Sequence, residues 1–248
     1  MMLEQTLSTL NHLKLFGMAK GLDDRLKIPA HADLAHDEFV GLLVQDEKAD
    51  RDNRRLARLL KRAKLRYTAA CLEDVDYKHT RGIQKQVFLE LANPRWIPAG
   101  RNVLFTGPTG VGKSWLACAL GNFAARQGFT VLYFRAPRLF EELQQSRADG
   151  SRLRLLAKLA KAQILIVDDI LLTPLADQER SDLLEIIEDR YGQAATVLTS
   201  QLPTKHWHAA MGEPTLADAL CDRLFHHAFK IEMKGESLRK SDDGGKKS

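Results

Sequence analysis

The eight residues GPTGVGKS, Gly107 to Ser114, directly follow the apolar run Val103-Leu104-Phe105. Three glycines, a lysine and a serine in so short a span leave little choice of local fold. Glycine reaches backbone angles that a β-carbon forbids, so the chain can wrap successive N–H groups around an anion. The stretch completes the pattern G-x-x-x-x-G-K-[ST] and lies between a short strand and an amphipathic helix, the context a phosphate loop requires. The helix that starts near Lys113 points its positive end at the same place. Gly107, Pro108, Thr109, Gly110, Val111, Gly112, Lys113 and Ser114 are therefore the expected nucleotide cradle. Lys113 is expected to reach the β- and γ-phosphates of ATP, and the Ser114 hydroxyl to ligate Mg²⁺.

Such a loop needs a carboxylate nearby. Residues 163–170, QILIVDDI, supply one: four apolar residues and then Asp168 and Asp169. A buried strand that ends in an acid delivers it to the carboxyl edge of a sheet, beside the phosphate loop. Asp168 is the expected Mg²⁺ ligand, and Asp169 the group that polarises the attacking water. A third strand end, ATVLTSQLP, carries Thr199-Ser200-Gln201 after an apolar run. Gln201 is the candidate γ-phosphate sensor there. A simple turn before Pro203 accounts for the same cluster.

Candidate strands are Val103–Phe105, Val131–Phe134, Ile164–Val167, Thr196–Thr199 and Phe229–Met233, separated by helical stretches at 114–126, 137–161, 177–191 and 215–227. That alternation predicts an α/β domain over residues 101–240, a parallel sheet covered by helices on both faces. Residues 1–68 read instead as a small all-helical domain. Leu3, Leu7, Leu10, Leu13 and Phe16 recur at helical spacing until Gly17 and Gly21 interrupt them. A second helix is expected over Ala35–Glu47 and a third from near Asp50. Residues 69–100 form a connector with turns at 78–82 and 93–95, and 241–248 reads as a disordered tail.

Charge is unevenly placed. The chain of 248 residues carries a net +5. Much of the excess lies in RDNRRLARLLKRAKLR, residues 51–66, with eight basic residues against the single acid Asp52. On a helix, Leu56, Leu59, Leu60 and Ala63 form an apolar stripe, and Arg51, Arg54, Arg55, Arg58, Lys61 and Arg62 cover the opposite face. A row of cations at one-turn spacing suits the phosphates of a nucleic acid and predicts salt-sensitive binding with little sequence preference; a solvated helix face is the alternative, though such faces usually mix signs. A second, weaker basic segment is Arg147, Arg152, Arg154, Lys158 and Lys161.

Other features bound the function by exclusion. No apolar run approaches the ~20 residues of a membrane span, and no signal peptide is read at the N-terminus. Cys71, Cys118 and Cys221 lack metal-ligand spacing and suit a reducing compartment. The expected location is cytoplasmic, without a membrane partner. His206 and His208 in KHWH have no third ligand nearby and read as a surface loop.

With these motifs in this order the chain resembles the AAA+ ATPases of the helicase-loader and initiator branch. Within that branch it is similar to the IstB-like transposition helper ATPases of insertion sequences. The match runs through LKLFGMAKGL, RRLARLLKRAKLR, LEDVDY, RGIQKQVFLELA, GPTGVGKSWLACALG, VDDI, TSQLP and DRLFHHAFKIEMKGESLRK. The resemblance implies an ATPase with a five-stranded AAA+ sheet and no helical lid. It makes Arg223 an arginine finger acting on a neighbouring subunit, in a ring or helical homo-oligomer on DNA that engages a cognate transposase. It also puts Arg239 near a second sensor position and Tyr77 near the adenine, with Trp96 and Ile97 as further neighbours or core residues. A DnaC-like replicative helicase loader is the alternative.

Overall fold

The computed structural model describes residues 2–28, 34–77 and 81–238. Its centre is a five-stranded sheet of β1 (Val103–Thr106), β2 (Val131–Arg135), β3 (Ile164–Asp168), β4 (Ala195–Ser200) and β5 (Phe229–Glu232), in the order β2-β3-β4-β1-β5. Every strand pair is parallel, as the alternating pattern requires. Val103 lies opposite Val197 and Phe229, and Ile164 opposite Ala195 and Val131. β1, β3 and β4 are buried along their whole length, which is why they read as unbroken apolar runs rather than alternating ones.

The two faces are covered by different helices. α5 (Lys113–Arg126) packs on β3 and β4 with Leu116, Ala117, Ala119, Leu120 and Ala124 buried. The other face turns Leu104, Leu132, Leu165, Val167 and Leu198 into a core shared with α6 (Ala136–Ala148), α7 (Arg152–Lys161), α8 (Asp177–Arg190), α9 (Trp207–Met211) and α10 (Pro214–Phe225). The single helix expected over 137–161 is two. Asp149 stops the first by accepting a hydrogen bond from the Ser151 N–H at 2.9 Å, a side-chain turn that competes with helix. KHWH is likewise not a loop: a 3-10 turn at Thr204–His206 leads into α9, and Trp207 is buried with its indole N–H on the Leu202 carbonyl.

Arg190, on the last turn of α8, is buried with its guanidinium on neutral acceptors. It donates to the carbonyls of Leu159, Ala162 and Ala195 and to the Thr196 hydroxyl. Burial lowers its pKa to about 10, so the guanidinium stays charged at neutral pH and ties α7, α8 and β4 together.

Among the described residues the N-terminal part contributes three helices, α1 (Met2–His12), α2 (Phe16–Arg25) and α3 (His36–Ala63), and the connector a short α4 (Lys85–Leu91). Gly17 does not interrupt a helix. It lies inside α2, where a β-carbon would come within 2.5 Å of the Asp46 carbonyl, so it permits close approach to α3. The break expected between Glu47 and Asp50 is also absent. α3 runs unbroken for 28 residues, and the ion pairs Glu47–Arg51 and Asp50–Arg54 bridge the join. By its internal contacts the chain divides into two compact units between Arg58 and Leu59. The predicted tail, Arg239 and the turn at 78–80 lie outside the described residues.

Candidate functional site: a phosphate loop with a buried acid

The loop after β1 has the backbone its glycines allow. Gly107, Gly110 and Gly112 all have positive φ, at 138°, 87° and 99°. A β-carbon at Gly107 would sit 2.1 Å from the Met233 carbonyl, and one at Gly110 2.1 Å from Ser237 Oγ. The segment after β5 is thus laid directly over the loop, and the Leu238 N–H donates to the Gly110 carbonyl at 3.1 Å. Lys113 opens α5 with its ammonium inside the loop, 2.7 Å from the carbonyls of both Gly107 and Pro108.

Asp168 ends β3 and is fully buried. Its two oxygens have separate donors: the Thr199 hydroxyl at 2.5 Å from β4 and the Tyr133 hydroxyl at 2.7 Å from β2. Burial, and then the bond to Asp168, push the Tyr133 phenol far above its ordinary pKa, so it remains a neutral donor. Asp169 takes a left-handed backbone, φ 62°, which turns its side chain out of the strand direction. Its amide donates to the same Thr199 hydroxyl at 2.9 Å, and its carboxylate lies 3.3 Å from Arg135.

These groups surround a cavity of about 470 Å³ lined by Thr109, Gly110, Gly112, Lys113, Ser114, Asp169 and Gln201, together with Arg66, Tyr67, Trp115, Arg135, Leu172 and Leu238. A smaller cavity of about 220 Å³ adjoins it through Gly112, Trp115 and Leu238 and is lined further by Asp74, Val75, Asp76, Arg81, Ile83 and Leu116. One side is cationic and polar, the other more apolar. That division fits a nucleotide, phosphates on the first and base on the second. The positive-φ cradle, Lys113 within it, and Ser114 and Asp169 on the same cavity wall meet the needs of a phosphate group and a hard cation, with Asp168 buried behind them on the Thr199 and Tyr133 hydroxyls.

The predicted cradle, Asp169 and Gln201 are therefore brought together, with Asp168 hydrogen-bonded beneath them. Gln201 is exposed at the cavity wall, whereas its neighbour Thr199 is buried under the acids. Tyr77 is not among the residues lining either cavity. It packs edge-on against Phe88, centroids 6.1 Å apart, and the connector reaches the base side through Val75 and Asp76 instead. Trp96 and Ile97 are core, the Trp96 indole donating to the Leu91 carbonyl at 3.0 Å. Arg66, Tyr67, Trp115, Tyr133 and Arg135 are site residues that the motifs do not mark. Trp115 directly follows the loop, but the others come from segments far from it in sequence, and only the sheet register brings Arg135 opposite Asp168.

Arg223 lies elsewhere. It faces a recess lined by Gly100, Arg101, Tyr191, Gly192, His226 and His227, at the amino ends of β1, β4 and β5. The phosphate loop follows the carboxyl end of β1. Glu188 holds the Arg223 guanidinium at 2.8 Å.

The basic stretch is more mixed in sign than its sequence window implies. Arg51 pairs with Glu47 at 2.6 Å, and Arg54 pairs with Asp50 at 2.5 Å and lies over the Phe16 ring. Both acids lie just before the window, each one helical turn ahead of its partner. Arg55, Arg58, Lys61 and Arg62 are exposed on α3. A groove of about 500 Å³ gathers Lys14, Arg51, Arg54, Arg55 and Arg58 around Asp52. In the second basic segment, Arg147 and Arg152 are both bound by the buried Asp182, and Arg152 also by Glu185. They fasten α6 and α7 to α8. Among the described residues no cluster of His, Cys, Asp and Glu could hold a metal by itself, and His208 pairs with Asp218 at 2.9 Å.

Comparison with known proteins gives a consistent answer. The family model of the IstB-like ATP binding proteins matches residues 8–244. The y4pL protein of Sinorhizobium fredii (strain NGR234), whose name marks it as an insertion-sequence ATP-binding protein, is 48% identical over 97% of this chain and 98% of its own length. Among solved structures, the DnaC helicase loader aligns with a TM-score of 0.55 at 21% identity, over 68% of this chain and 99% of its own. DnaI aligns with a TM-score of 0.57 at 22% identity, over 73% and 92%. At that identity the likeness is one of fold, the AAA+ P-loop domain. The chain belongs to the IstB-like ATP-binding proteins of insertion sequences.

Proposed function

We propose that the protein is an ATP-dependent, DNA-binding helper of transposition that assembles on double-stranded DNA and recruits or activates a separate transposase. The observation that carries this reading is the separation of Arg223 from the phosphate loop by the length of the sheet. An arginine so placed reaches a γ-phosphate only when that phosphate belongs to another copy of the chain. Docking one face on a different face of the next copy is a heterologous contact, which builds rings or helical filaments. ATP held between copies favours the assembled state by its higher affinity for it, and hydrolysis resets the assembly.

Each residue then has a task. The glycine loop and Lys113 bind the phosphates. Ser114 and Asp168 would hold Mg²⁺, which would supply charge neutralisation at the transferring phosphoryl group. Asp169 orients and deprotonates the attacking water, and Gln201 faces the terminal phosphate. Arg51, Arg54, Arg55, Arg58, Lys61 and Arg62 contact the DNA backbone. The insertion-sequence relatives support the transposition reading over a helicase-loader one.

Light scattering with long duplex DNA, with and without ATP and Mg²⁺ at two salt concentrations, tests the reading. A large ATP-dependent assembly that salt weakens is the expected result. A monomer indifferent to DNA would overturn it.

A further inference from the structure

Arg66 closes the basic stretch in sequence but lies beyond the helix that carries it. α3 ends at Ala63, and Lys64 takes a left-handed backbone, φ 51°, that turns the chain away. The residues that follow are fastened to α5. Asn122 donates to the Thr68 carbonyl at 3.1 Å, and the backbone N–H groups of Arg66 and Tyr67 face the Cys118 thiol. Cys118 and Asn122 are one helical turn apart on the helix that the phosphate loop begins. The backbone bearing Arg66 is therefore held against the loop's own helix.

That anchoring brings the Arg66 side chain to the larger cavity and not to the smaller, apolar one. Its guanidinium lies 4.0 Å from Asp168 Oδ2 and faces the Tyr133 hydroxyl that Asp168 accepts from. The base side of the cavity is at Gly112, Trp115 and Leu238. Arg66 stands at the acid side, which with the base so placed would be the side of a triphosphate's terminal phosphate. A planar guanidinium with several donors is suited to that group. A diphosphate leaves it with the partners it has within the chain, Asp168, the Tyr133 hydroxyl and the Tyr67 ring.

We infer that Arg66 is a nucleotide-binding residue of its own chain, which contacts the terminal phosphate and makes the site prefer triphosphate over diphosphate, and is not a DNA contact. The inference rests on the nucleotide reading of the phosphate loop.

The test measures binding of fluorescent ATP and ADP analogues, with Mg²⁺, to the full chain carrying Arg66→Gln, Arg66→Lys or Lys113→Ala. Arg66→Gln is expected to weaken ATP about tenfold, the loss of one charge-assisted bond, and ADP less than about threefold. Arg66→Lys keeps the charge and is expected to lose about threefold for ATP alone. Duplex DNA affinity of the nucleotide-free protein should not change in either variant. Equal losses for both nucleotides, or none for either, would overturn the inference. So would a fall in DNA affinity with nucleotide binding intact. If Arg66→Gln does not fold, Arg66→Lys decides by the same comparison. Lys113→Ala separates the two levels: binding of both analogues unchanged there would remove the nucleotide reading itself.

Discussion

The Thr199 hydroxyl donates to the Asp168 carboxylate at 2.5 Å and accepts the Asp169 amide at 2.9 Å. One side chain on β4 thus sets the position of both acids at the end of β3. Replacing it by valine keeps the shape and removes the hydrogen bonds. Thr199→Val should cost about 1.5–3 kcal/mol, the usual loss when a buried charged acceptor is left short of a donor. Urea unfolding reads that cost. ATP hydrolysis should fall at least about tenfold, equivalent to ~1.4 kcal/mol of transition-state stabilisation, while binding of the ATP analogue changes little.

Arg223 is held by Glu188 within its own chain, away from the loop it is proposed to serve. Arg223→Ala should keep ATP affinity and lose about 10³-fold in hydrolysis, the scale of an arginine finger. Mixing it with Lys113→Ala, which keeps its finger, should restore part of the rate. No recovery in the mixture would count against action between copies.

The two basic segments should respond in opposite ways. Reversing Arg54, Arg55 and Arg58 to Glu should abolish duplex affinity and leave nucleotide binding intact, as a salt titration by fluorescence anisotropy would show. Arg147→Gln with Arg152→Gln should leave duplex affinity and its salt dependence unchanged. It should instead destabilise the fold by about 3–5 kcal/mol, because the buried Asp182 then has no cation.

Acid should act on the N-terminal helices through Glu47. Burial opposes its ionisation, but the bond from Arg51 and the N–H groups of Met18 and Gly17 outweigh it and lower its pKa below the ordinary 4.5. Its contribution is therefore complete above about pH 4.5 and is lost as the pH falls through the lowered value. Circular dichroism melts from pH 7 to 3 should show a falling melting temperature at the acid end. Glu47→Gln should lower stability at neutral pH by about 1–3 kcal/mol and flatten that fall.

The sequence by itself determined the five strands and the phosphate loop. Both are local matters: unbroken apolar runs force a strand inside, and only glycine tolerates the loop's dihedral angles and the backbone packed against it. The two acids were legible for the same reason, as a strand's polar end. Tertiary structure decided which other side chains join them. Thr199, Tyr133 and Arg135 reach the acids across parallel register, a relation between residues some thirty positions apart that no spacing along the chain encodes. It also decided which of the cations pair with an acid of the fold. Arg51, Arg54, Arg147 and Arg152 look alike as cations in the sequence, yet each is bound to a specific carboxylate in the structure. Charge patterning states how many cations a segment carries; only packing brings an acid within ion-pair distance of one and leaves another facing solvent.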